Sequence, residues 1–223
     1  MRTALAYPFR GDGRFDAVAV GGGLHLLAVW IPVVPFLAVA GYLLRVLEET
    51  AEAPRLRDAE RPGWRPVGPL LRDGVVAVGI CLAYLVVPVG LLVVTLGGPL
   101  EQVDPTGSAD GLLFLVGSTV VLLVSLAAVY PLPAALAAYA RRRRIRAAFD
   151  RRLLGTATRD GGYLFAVVVA ATGLAIAAAA YAPLNAVALG FFFAFVIEVA
   201  AAALVGSAAG SAWERAGWGE RAG

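Results

Sequence analysis

The stretch at 74–97, GVVAVGICLAYLVVPVGLLVVTLG, carries no charged residue, and neither does GLLFLVGSTVVLLVSLAAVY at 111–130. A hydrocarbon core about 30 Å thick is crossed by about 20 apolar helical residues. Lipid offers the backbone no hydrogen bonds, so such runs are read as helices. Two more runs follow at 163–182 and 184–212, the second interrupted only by Glu198. The glycines and Pro88 within these runs do not argue against helix, because neighbouring segments can re-satisfy the backbone. A fifth region, 17–47, is too long for one span and short for two, with Pro32 and Pro35 at its middle. It reads either as one broken span or as a tight hairpin turning at IPVVP.

Composition agrees, since 60% of the chain is hydrophobic, above the usage of ordinary soluble domains. The expectation is an all-α, polytopic transmembrane helical bundle in one integral domain over 1–223. Five or six membrane helices should lie at 17–47 (broken at Pro32/Pro35), 74–97, 111–140, 163–182 and 184–212. Short interfacial amphipathic helices and basic connectors at 48–73 and 141–160 should join them. The polar, turn-rich opening before Ala17 does not read as a secretory signal. It reads as an interfacial lead-in with Tyr7, Phe9 and Phe15 at headgroup level.

Arginine marks orientation, for the chain has no lysine. Arg55, Arg57, Arg61, Arg65 and Arg72 precede the run at 74–97, and eight more arginines lie between Tyr139 and Gly161. The loop at 99–110 has Glu101, Asp104 and Asp110 and no positive charge. Positive charge stays in the cytoplasm, so both basic connectors and the C-terminal tail with Arg215 and Arg221 are expected there. Arg2, Arg10 and Arg14 favour the same side, which requires the first region to cross twice. A candidate internal repeat argues otherwise. PFLAVAGYLLR (35–45) with RDG (72–74) matches PAALAAYARR (133–142) with RDG (159–161). If that repeat is strict, 17–33 is one span and the N-terminus is external.

The segment YARRRRIRAAFDRR, 139–152, holds Arg141, Arg142, Arg143, Arg144, Arg146, Arg151 and Arg152. Ile145, Phe149 and Leu153 recur every four residues beside Ala148, one helical stripe with the charges mostly off it. Directly after a span, such a helix should lie in the interface with its arginines among anionic lipid headgroups. Nucleic acid is not expected as a partner, because no stacking platform accompanies the charge.

Two residues are costly where they stand. Glu198 falls within GFFFAFVIEVAAAALVG, and intramembrane carboxylates are paired, protonated or functional. His25, the lone histidine, follows VGGG in the first apolar region and is a candidate partner for it. One histidine excludes a histidine-rich metal site, and lone Cys81 reads as a small buried hydrophobe. No nucleotide-binding lysine loop, nucleophile elbow or zinc-protease motif is present. Neither an enzymatic activity nor a cofactor is expected. The small residues of GSAAG at 206–210 suit close helix packing, within the bundle or toward a second copy.

ALAYPFRGDGRFDAVAVGGGLHLL, PFLAVAGYLLRVLEE, LLRDGVVAVG and LPAALAAYARRRRIRAAFD resemble the membrane proteins grouped as domain of unknown function 4013. The opening Tyr7-Pro8-Phe9-Arg10-Gly11-Asp12 and the two Pro-to-Tyr-to-Arg stretches carry most of the resemblance. It implies a polytopic helical protein of a kind common in haloarchaea, with no assigned activity and no catalytic residues to transfer. Two functional expectations remain. One is a non-enzymatic scaffold or accessory subunit with a membrane protein partner or a second copy. The other is a small permease using Glu198.

Overall fold

The computed structural model describes residues 2–11, 14–97, 108–185 and 188–218. Among these residues the only regular structure is helical. The helices are α1 (Arg2–Ala6), α2 (Arg14–Ala28), α3 (Val33–Glu52), α4 (Val67–Gly97), α5 (Ser108–Val129), α6 (Leu132–Arg142), α7 (Arg151–Thr158), α8 (Gly161–Asn185) and α9 (Leu189–Arg215). Among the described residues four stretches are long and apolar enough to cross a bilayer: Val67–Val93, Leu115–Arg142, Gly161–Tyr181 and Leu189–Arg215. The shorter apolar helix Phe15–Ala28 joins them, and the fold is a helical membrane bundle. Glu101 and Asp104 of the acidic loop, Asp12 and Arg221 lie outside the described residues.

The first apolar region is a hairpin. Helix α2 ends at Ala28, and the amides of Val29, Trp30 and Ile31 bond back to Leu26 and Leu27 carbonyls. Pro32 then caps α3, with Pro35 in its first turn. Proline is tolerated there because first-turn amides have no intrahelical acceptor. Proline also divides the expected 111–140 segment into α5 and α6. Pro131 has no N–H to donate and disfavours helix at Tyr130, so helix stops at Val129 and resumes at Leu132. Pro183, by contrast, is held within α8, and left-handed Ala188 precedes α9.

Contacts divide the chain into two units. In Gly79–Leu132 the helices point apolar side chains outward, with Leu82, Val86, Val93, Leu122 and Leu126 each 61–68% exposed. Such surface suits hydrocarbon. The other unit, Met1–Val78 with Pro133–Gly223, is built around α9. Gly206 and Gly210 lie so close to α3 that a Cβ would collide with the Thr50 hydroxyl at the first and with the Ala51 backbone at the second. The small-residue face GSAAG is thus occupied within the bundle. Helices α3 and α4 meet as tightly, Gly41 against the Leu70 carbonyl and Gly74 against that of Leu37. Close approach of this kind is what small residues supply where lipid gives helices no hydrophobic reason to associate.

Tyr7 departs from its expected place at headgroup level. It is fully buried, with its hydroxyl donating to the Glu60 carbonyl at 2.6 Å, while Arg10 donates to Leu56 at 2.8 Å. Phe9 and Phe15 are exposed. The opening motif therefore fastens the connector between α3 and α4. Arg45 holds that connector from the other side, donating to the carbonyls of Gly63, Arg65 and Pro66. Buried Tyr42 stacks on Trp64, ring centroids 4.2 Å apart.

The two Arg-Asp-Gly copies have different surroundings. Asp73 lies within α4 and faces Arg143 at 2.9 Å, whereas Asp160 precedes α8 and accepts from the Tyr163 amide and Arg215. Burial works against the Asp160 carboxylate, but these donors hold it below the usual carboxyl range. Its contribution is present above that range and lost as pH falls through the lowered value. Asp160→Ala should cost about 1 kcal/mol at neutral pH and leave a shallower loss of stability below about pH 4. Unfolding in denaturing detergent at both pH values measures this.

Candidate functional site

Glu198 is set roughly 14 Å along α9 from Leu189, at 1.5 Å per residue. His25, one turn from the end of α2, faces it, with Nε2 3.2 Å from each carboxylate oxygen. The glycines of VGGG make the approach possible: Gly21 and Gly22 lie flat against the rings of Phe195 and Phe192. The His25 ring also meets Phe195 edge-on, centroids 5.9 Å apart. In the sequence His25 is only a candidate partner for Glu198, and the fold brings the two together.

A second hydrogen bond constrains the chemistry. His25 Nδ1 is 2.9 Å from the Gly21 carbonyl oxygen. A carbonyl only accepts, so Nδ1 carries a hydrogen. A hydrogen bond between Nε2 and Glu198 then requires one further proton, on the ring or on the carboxyl group.

The pair is also accessible. Its side chains are 21% and 28% exposed and form part of a cavity of about 410 Å³ with Leu174, Ala177, Ala178, Tyr181 and Ala194. The walls come from α8 and α9 and are mostly small and apolar. An interhelical hydrogen bond in a membrane contributes roughly 0.6–1.7 kcal/mol, whereas a charged side chain at a helix centre costs roughly 3 kcal/mol. The bond alone does not offset the placement. A second cavity of about 430 Å³, between α1, α8 and α9, is lined almost wholly by aliphatic side chains and has no ionisable group. Among the described residues no cluster of three or more potential metal ligands occurs.

The arginine run is not the single helix expected. Arg143 takes a left-handed backbone, φ 51°, a 3-10 turn covers Ile145–Phe149, and Asp150 caps a new helix by accepting from the amides of Arg152 and Leu153. The anticipated stripe is therefore divided, with Ala148 and Leu153 buried but Ile145 and Phe149 exposed. Arg141 lies over the Trp213 ring, and Arg142 over that of Trp218. Arg143 binds Glu48 and Asp73. Arg144, Arg146, Arg151 and Arg152 are exposed. Glu48 carries no signal in the sequence and Asp73 stands out only as part of Arg-Asp-Gly, because a carboxylate near an apolar run has no visible partner there.

Fold and site define a helical membrane protein with an ionisable pair set between its apolar helices. The chain belongs to the family described as Protein of unknown function (DUF4013), whose model matches residues 24–186. That match includes His25 and the whole arginine run and stops short of Glu198. No curated protein and no solved structure matches the chain.

Proposed function

We propose that the protein is a non-enzymatic, multi-pass accessory subunit of the cell membrane, with both termini and its basic connectors in the cytoplasm. The orientation follows from the arginines gathered on the connectors. The observation that carries the functional reading is the partly buried His25–Glu198 pair in a groove walled by Ala177, Ala178 and Ala194. Facing lipid, the pair leaves carboxylate lone pairs unsatisfied. A partner's transmembrane helix carrying a hydrogen-bond donor at that depth would satisfy them, and the alanines let its backbone come close. The occupied GSAAG face supports a partner at the α2–α8 groove over self-association through that motif.

A photo-crosslinking residue at Ala178 should give one discrete membrane-protein adduct in the native membrane, reduced at least several-fold by Glu198→Leu. The same probe at outward-facing Phe165 should give none. A second reading, a proton-coupled permease, is favoured by the single proton that the Gly21 contact leaves on the pair. In that case Ala178 gives no adduct, and reconstituted protein moves protons in a manner abolished by Glu198→Gln.

A further inference from the structure

The arginine run divides into two sets. Arg141, Arg142 and Arg143 are partnered, by Trp213, by Trp218 and Asp150, and by Glu48 and Asp73. Arg144, Arg146, Arg151 and Arg152 point outward and enter no ion pair among the described residues. Ile145 and Phe149 stand among them, 57% and 49% exposed.

The backbone imposes this sorting. The left-handed Arg143 turns the chain out of α6, and the Asp150 cap restarts it as α7. Ala147, Ala148, Leu153 and Ala157 are buried behind the exposed face. The Trp213 indole N–H donates to the Leu153 carbonyl at 2.9 Å and secures the segment to α9. Four exposed arginines and two exposed large apolar side chains thereby fall within the short stretch 144–152, on a fixed support. In the chain this segment follows the apolar stretch Leu115–Arg142 and precedes Gly161–Tyr181, which keeps it at the bilayer edge.

We propose that this face is a discrete binding site for the headgroup of an anionic phospholipid. The guanidinium forks take the phosphate oxygens in pairs, while Ile145 and Phe149 enter the boundary between headgroups and acyl chains. A nucleic acid or an acidic protein uses the charge equally well but leaves both apolar side chains in water. The inference shares with the proposed function only the placement in a membrane, and no residue of the His25–Glu198 groove takes part.

The test is native mass spectrometry of the full chain in mild detergent, titrated with phosphatidylglycerol or phosphatidylcholine. At about 1 kcal/mol, each arginine contributes a roughly fivefold preference for anionic lipid. The variant R144Q/R146Q/R151Q/R152Q should therefore bind phosphatidylglycerol ~10-fold or more weakly than the native chain. These side chains are exposed, so the variant should keep the native melting temperature. R55Q/R57Q, in the other connector, should bind as the native chain does, and I145S/F149S should bind phosphatidylglycerol several-fold more weakly. Undiminished binding by the quadruple variant would overturn the proposal, as would equal binding of the two lipids. Soluble glycerol phosphate or a short oligonucleotide displacing the lipid at equal concentration would overturn it too. Crosslinking at Ala178 reads the groove separately, so either proposal can fail without the other.

Discussion

Gly74→Val should leave almost no folded protein to extract. A Cβ at position 74 would overlap the Leu37 carbonyl oxygen, and Gly41 presses on Leu70 in the same way from the facing helix. Both obstacles are backbone, so no rotamer change relieves them. Helices α3 and α4 must separate, and the contacts around Val39, Tyr42 and Leu70 open with them. Overpacking a core costs typically 1–3 kcal/mol when side chains can adjust. Here they cannot, and a loss above about 3 kcal/mol is expected. Gly79→Ala is the comparison, because a Cβ there meets nothing within 4 Å. That change should be neutral or stabilising by up to about 1 kcal/mol from helix propensity. Detergent-unfolding midpoints of the two variants should therefore move apart, and equal midpoints would refute the tight crossing.

Arg143→Ala should be the next most damaging substitution. The guanidinium ties Glu48 of α3 to Asp73 of α4, and the Asp73 side chain is only 9% exposed. Removing it leaves two carboxylates near each other without a cation. Breaking a buried ion pair costs roughly 3–5 kcal/mol, but Arg143 is itself 43% exposed, and solvent screening lowers the expectation to about 2–3 kcal/mol. Arg143→Lys should recover only part of this, because one ammonium cannot reach both carboxylates with the geometry of a fork. The sharper check is Arg143→Gln combined with Glu48→Gln and Asp73→Asn. Taking away the carboxylate charges should restore most of the lost stability if unpaired charge is the cause. A triple variant as unstable as Arg143→Ala would point to the left-handed backbone at 143 instead.

These two contacts mark where sequence reasoning stops. That Gly74 opens an apolar run after Arg-Asp is plain in the sequence. That Gly41 meets this helix at the Leu70 carbonyl is not, because Gly41 and Gly74 are 33 positions apart in the chain. Arg143 reads like its neighbours in a run of four arginines, yet its backbone and its carboxylates make it a clasp. Tyr7 reads as an interfacial aromatic because its neighbours are polar, but the Glu60 carbonyl that receives its hydroxyl belongs to a connector far along the chain. The candidate site was half legible. Glu198 and His25 each stand out as polar groups among apolar ones, a local property. Their meeting at 3.2 Å depends on two helices crossing, with Gly21 and Gly22 flat against phenylalanine rings.

The sequence by itself determined the solvent and the elements. Charge-free apolar runs of membrane length can satisfy their backbone in lipid only by internal hydrogen bonding, which makes them helices whatever their packing. Tertiary structure alone decided which glycines carry the helix crossings, which arginines are partnered, and that the first apolar region folds back as a hairpin. The reason is one of range. Backbone hydrogen bonding and proline act over a few residues and leave their mark in the local string. Helix crossings, ion pairs and cavities depend on which distant residues share a place, and that is set by the packing of the bundle as a whole.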